Sequence, residues 1–174
     1  MYQLIVNRKN FHDFRISTTT SEPLEDGQIR VEIKQFAFTS NNITYAAVGE
    51  VVGYWKFFPV SEEEGIIPVW GFAEVIASKS EEIPVGERFY GYYPMASHLV
   101  LLPTDIKNGN FTDGTPHRTD LPQIYNHYVN TKLDPAYSEE GEAFQSIFRP
   151  LFTTSFLIED LFFENSFFDS KNII

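Results

Sequence analysis

The residues best suited to chemistry stand together in "FTSNNITY", positions 38 to 45. Ser40, Asn41, Asn42, Thr44 and Tyr45 set amide and hydroxyl groups between two apolar runs, so they can fix a ligand's orientation inside a mostly apolar pocket. An Asx-type turn leaving a strand explains the same residues, with the Asn side chains bonded to their own backbone. Both readings stay open at this level. His12, His98, His117 and His127 are dispersed and lack the local spacing of a metal-binding helix or loop, so no metal site is expected. The three carboxylates of "SEEEG", 61 to 65, read as a solvated loop, because paired-acid catalysis needs a second acid across a cleft. The sequence has no G-x-S-x-G elbow and no phosphate-cradling glycine-rich loop.

Composition narrows the partners. Thirteen basic residues against 24 acidic ones give a formal charge of -11, which repels phosphate backbones, so nucleic acid is not expected. Cysteine is absent, which excludes disulfides, thiolate nucleophiles and Cys-ligated zinc. "MYQLIVNRKNFHDF" lacks the apolar core and cleavage site of a signal peptide, and no stretch approaches the roughly 18 apolar residues of a membrane span. The expectation is a cytoplasmic protein with no membrane partner. At 174 residues and 43% hydrophobic, the chain can build one substantial core with an appended subdomain. Its 17 Phe and 9 Tyr leave aromatic surface for a cleft or an interface.

The elements that must position the polar cluster are mainly strands. "IRVEIK", 29 to 34, alternates apolar and charged residues, and Asp26-Gly27 ahead of it signals a turn. "YQLIV" near the start is its expected hairpin-like neighbour. "GFAEVIAS", "ERFYGYYP" and "SHLVLLP" are further short strands punctuated by Gly and Pro, so residues 1 to 103 read as mainly β and barrel-like. The segment 104 to 122 is rich in turn-forming residues and predicts a long irregular connection. "QIYNHYVNTK" and "SEEGEAFQSIF" predict short helices, the second with acidic residues at its start. A last helix is expected to be capped by the hydroxyl residues 153 to 155, to bury Phe156, Leu157 and Leu161, and to end at Asn165-Ser166. "KNII" then begins a strand, which suggests a fragment of a longer chain.

In order, these segments resemble the medium-chain dehydrogenase/reductase superfamily. "EPLEDGQIRVEIKQFAFTSNN" is similar to its opening turn, strand and Asn-containing loop, and "PVGERFYG" to its "VGDRV" element. "RPLFTTSFLIEDLFFENSFFDSKNII" is similar to its crossover helix and the first strand of its nucleotide-binding domain. More narrowly, "FTSNNITYA" with "RPLFTTSFL" resembles a family of uncharacterised bacterial proteins related to those reductases.

The resemblance implies a mainly β chain with some α: a GroES-like β-barrel at 1-125, then a helical segment and the start of a nucleotide-binding domain at 126-174. It implies a zinc-independent, NADPH-dependent reductase acting on an activated C=C or C=O of a small-molecule substrate, not catalytic as this portion alone. Asn41, Asn42 or Tyr45 would donate to the developing oxyanion. Ser40, Thr153 and Thr154 would face the nicotinamide, and Tyr54 and Trp55 the substrate. The other reading is a non-catalytic binding or assembly module, whose apolar patches invite a homo-oligomer.

Overall fold

Alternation sets the first strands. The computed structural model describes residues 1–165, beginning with a hairpin of β1 (Tyr2–Asn7) and β2 (Phe14–Thr18) that places Leu4 opposite Ile16. β3 (Ile29–Phe36) buries Ile29 and Val31, while Arg30 and Glu32, at the alternate positions, keep partial access to water. Two short helices follow, α1 (Ser40–Ala47) and α2 (Gly49–Val52). Next come β4 (Glu64–Gly65), the long β5 (Pro68–Ser78), β6 (Arg88–Pro94) and β7 (His98–Leu101). β8 (Pro103–Lys107), β9 (Asn110–Asp113) and β10 (His127–Asn130) precede α3 (Glu142–Asn165).

The strands form a three-stranded sheet, β2-β1-β4, and a seven-stranded sheet, β7-β3-β5-β6-β10-β9-β8. The chain is therefore mainly β with some α, as expected, and its larger sheet is a curled half-barrel with the long helix at its C-terminal end. Its core gathers Val31, Val69, Val75, Phe89, Phe111 and Tyr128, each wholly buried. Side chains of this size contribute roughly 1.5–3 kcal/mol apiece on burial. Gly71 of β5 and Gly91 of β6 stand directly opposite one another. A Cβ at Gly71 would lie 2.1 Å from the Gln35 carbonyl oxygen, and one at Gly91 2.3 Å from the Tyr128 ring. Only glycine lets the end of β3 and the Tyr128 ring approach so closely.

Several expectations are corrected. β1 pairs with β2 and β4, not with β3, because the chain between β1 and β3 supplies β2 as the hairpin partner. The expected irregular segment 104 to 122 opens with the β8–β9 hairpin, in which Asn108 (φ 49°) and Gly109 (φ 71°) form the left-handed pair of a two-residue turn. "QIYNHYVNTK" is not a helix. A 3-10 turn at Gln123–Tyr125 leads into β10, which buries Tyr128 and Asn130 on alternate positions. The boundary expected at 125 falls just ahead of β10, which hydrogen-bonds to both β6 and β9.

The two expected C-terminal helices are one. α3 runs unbroken from Glu142, so Thr153, Thr154 and Ser155 lie in its middle and do not cap it. Their hydroxyls donate to the carbonyls of Arg149, Pro150 and Leu151 at 2.9, 3.1 and 3.2 Å. Phe156, Leu157 and Leu161 are 57%, 53% and 50% exposed and do not form a buried face. The strand expected at "KNII" lies outside the described residues.

Candidate functional site

One wall of the site is built where β3 ends. The Ala37 N–H donates to the Trp70 carbonyl at 3.0 Å, and two residues later Thr39 caps α1. Asn42 closes the cap from inside the helix: its Oδ1 accepts the Thr39 N–H at 2.7 Å and its Nδ2 donates to the Pro68 carbonyl at 2.9 Å. This ties α1 to the start of β5. The neighbouring Asn41 instead donates its Nδ2–H to the Tyr45 hydroxyl oxygen, one turn on, at 2.9 Å. The Tyr45 proton is thereby free to be given to something else. Burial pushes the Tyr45 hydroxyl above its ordinary value, against the opposing pull of Trp70 and Asn41, so it is a neutral donor at neutral pH.

The opposite wall is the first half of α3. Glu142 is buried and takes both Arg88 Nε–H and Nη2–H at 2.6 Å, with the Tyr137 hydroxyl donating to it at 2.8 Å. That bidentate pair fixes the helix start to β6. Gln145 adds a bond to the Ala136 carbonyl at 2.8 Å, and Arg149 pairs with Asp134. Pro150 follows inside the helix, and it has no N–H to give to the Ser146 carbonyl.

Between the walls lies a cavity of about 520 Å³. Asn41 and Tyr45 line it from α1, and Arg149, Thr153 and Thr154 from α3. Its floor is aromatic. Trp70 stacks on Tyr90 with centroids 5.5 Å apart and planes 11° off parallel, and Tyr125 stands 5.9 Å from Trp70. The Arg149 guanidinium sits 4.5 Å from the Tyr90 centroid. Trp70 Nε1 and the Tyr90 hydroxyl are buried without a well-formed hydrogen bond among the described residues. Burial drives the Tyr90 and Tyr125 hydroxyls up, so both remain protonated at neutral pH. His127 is exposed by area, yet desolvation by its surroundings pushes its imidazole down and keeps it mostly neutral at neutral pH.

Residues 36–174 match the family described as Protein of unknown function (DUF2855). The chain belongs to the DUF2855 family. The matched stretch spans both cavity walls and the floor. No curated protein is significantly similar to the chain. Among the described residues of this DUF2855 protein, no helix is long and apolar enough to cross a membrane.

Four of the residues singled out in the sequence, Asn41, Tyr45, Thr153 and Thr154, meet in this same cavity of the DUF2855 chain. Ser40 is exposed and does not line it, and Thr44 returns its hydroxyl to the Ser40 carbonyl at 3.4 Å. Asn42 has both ends of its amide occupied and borders only a crevice of about 30 Å³ beside the cavity. Tyr54 backs Tyr45 at 4.5 Å between centroids and shares a 3.1 Å hydroxyl contact with Tyr125, a layer away from the cavity. Trp55 is core, 2% exposed and packed with Val6, Ala46 and Ile67. Sequence reasoning missed Trp70, Tyr90, Tyr125, His127 and Arg149. Trp70 and Tyr90 share an alternate-position pattern with Phe72 and Tyr92, a signal that one sheet face carries four rings.

Proposed function

We propose that this cavity is the substrate side of a zinc-independent, NAD(P)H-dependent reductase of the medium-chain type, acting on a planar conjugated carbonyl compound. The observation that supports this reading best is the meeting of Asn41 and Tyr45 with Thr153 and Thr154, more than a hundred residues away, over an aromatic floor. The nicotinamide end of such a cofactor fits the groups present. Thr153 and Thr154 spend their hydroxyl protons on their own helix, which leaves lone pairs to accept from a carboxamide N–H. The Tyr90 hydroxyl, buried and unpartnered, can donate to the carboxamide oxygen. A bound reduced nicotinamide supplies hydride. Tyr45, oriented by Asn41, donates its proton in a hydrogen bond to the substrate carbonyl oxygen as negative charge develops there. Trp70 and Tyr90 hold the conjugated plane and exclude water from it.

Titration of the intact protein with NADPH, followed by nicotinamide fluorescence and then by loss of nicotinamide absorbance on adding an enone, tests the reading. Saturable binding with enone-dependent oxidation is expected. A folded intact protein that neither binds nor oxidises NADPH would refute it.

A second reading, a non-catalytic assembly module, is favoured by α3. Phe144, Phe148, Phe152 and Phe163 are 68%, 56%, 72% and 82% exposed. Concentration-dependent association of the intact protein in sedimentation, with no cofactor binding, is its expected signature.

A further inference from the structure

The cavity is biased toward one sign of charge. The chain carries 24 acidic residues, yet among the described residues no side chain lining the cavity is an Asp or a Glu. Among the described residues, Arg149 is the one lining residue with a full charge at neutral pH, since His127 is held mostly neutral. Arg149 is also only partly used. One terminal nitrogen pairs with Asp134, whose side chain is 8% exposed. Among the described residues, neither the other terminal nitrogen nor Nε has a hydrogen-bond partner. Stacking over Tyr90 holds the guanidinium above the aromatic floor. A flat aromatic surface therefore lies beside a guanidinium with free N–H groups. Such N–H groups, not spent within the protein, pair most strongly with an anionic oxygen group.

We propose that the ligand of this cavity is a planar conjugated molecule bearing a carboxylate, with the carboxylate on Arg149 and the plane on Trp70 and Tyr90. The proposal rests on the substrate side named above and specifies its substrate class. The carboxylate forms charge-assisted hydrogen bonds with the free guanidinium N–H groups. Asp134 competes for the same cation and so sets how strongly it binds.

The test compares 4-carboxycinnamaldehyde with its methyl ester, binding each to the intact protein and reading quenching of Trp70, with buried Trp55 as the constant background. The acid is expected to bind about tenfold or more tightly than the ester, the worth of a charge-assisted bond. That ratio is expected to shrink as salt is added. Arg149→Gln brings the ratio toward one. Asp134→Asn keeps the Oδ1 that accepts the Ala136 N–H at 3.0 Å while removing the competing charge, and raises acid affinity several-fold. A wild-type ratio near one overturns the proposal. So does a ratio that survives Arg149→Gln with an unchanged circular dichroism spectrum, and, should that variant not fold, acid affinity indifferent to both Asp134→Asn and salt. The readout needs no cofactor: acid preference without NADPH oxidation sinks the reductase reading and leaves this one standing, and oxidation without acid preference does the reverse.

Discussion

The two walls of the cavity are held by different means. In α1 the polar side chain nearest the sheet, Asn42, is consumed by the fold, bonded to Thr39 on one side and Pro68 on the other. In α3 the anchoring is done at the edge by Glu142, and the groups that face the cavity, Thr153, Thr154 and Arg149, keep lone pairs or N–H groups unspent. Adjacent positions can thus divide the labour: Asn42 makes the wall, and Asn41 with Tyr45 presents chemistry on it. A polar residue in a cavity lining is informative about ligands only after its own hydrogen bonds have been counted.

That contrast can be broken at its anchors first. Glu142→Gln removes the bidentate carboxylate from Arg88, which is 24% exposed and keeps Glu74 at 3.7 Å, and is expected to cost about 2–3 kcal/mol in urea unfolding. A loss below 1 kcal/mol would show that α3 is not fixed there. Asn42→Ala removes the inner half of the capping box, leaving Thr39 as the N-cap, and strands the Pro68 carbonyl, for an expected loss of about 2 kcal/mol. If melting is unchanged while ligand binding collapses, the division between Asn41 and Asn42 is wrong.

The ligand-facing groups behave oppositely. Tyr45→Phe should weaken binding of the enal ester by about five- to tenfold, the net worth of one neutral hydrogen bond, with a smaller change in stability. Thr153→Val changes stability by only about 0.5 kcal/mol or less, because its hydroxyl serves only its own helix. Its effect is read instead in NADPH affinity. The smallest effect concerns His127. Its folded value lies below the ordinary 6.5, so the unfolded chain binds the proton first and stability declines as pH falls from about 6.5 to the lower folded value. His127→Gln should flatten that slope slightly, since an exposed group is well screened. A steeper slope in the variant would reverse the assignment.

Much of this architecture is legible in the residues. The alternation of "IRVEIK" and the Gly-Pro punctuation of the aromatic strands announce a mainly β chain, and the polar cluster at 40 to 45 marks one cavity wall. The Asn108-Gly109 hairpin was also there to be read, because that dipeptide suits a turn needing two left-handed residues. Other features depend on distance. Nothing local to Glu142 announces that it meets Arg88, 54 residues earlier, yet that contact fixes where α3 starts on the sheet. Trp55 and Tyr54 look alike as ligand-facing aromatics, and only packing distinguishes the core ring from the one behind the wall. Arg149 reads as a helix-end cation until Asp134 and Tyr90 are brought beside it.

The opposed glycines of β5 and β6 tie the back of the aromatic floor to the core. With Gly71 against the Gln35 carbonyl and Gly91 against the Tyr128 ring, the sheet is creased where no larger residue can be inserted. Both lie at alternate positions to Trp70 and Tyr90, on the face turned from the cavity, so that side of the sheet cannot be adjusted one methyl at a time. Retuning for broader or narrower molecules falls instead to cavity-lining residues such as Gln123, Leu151 and Leu157, while the spine stays bare.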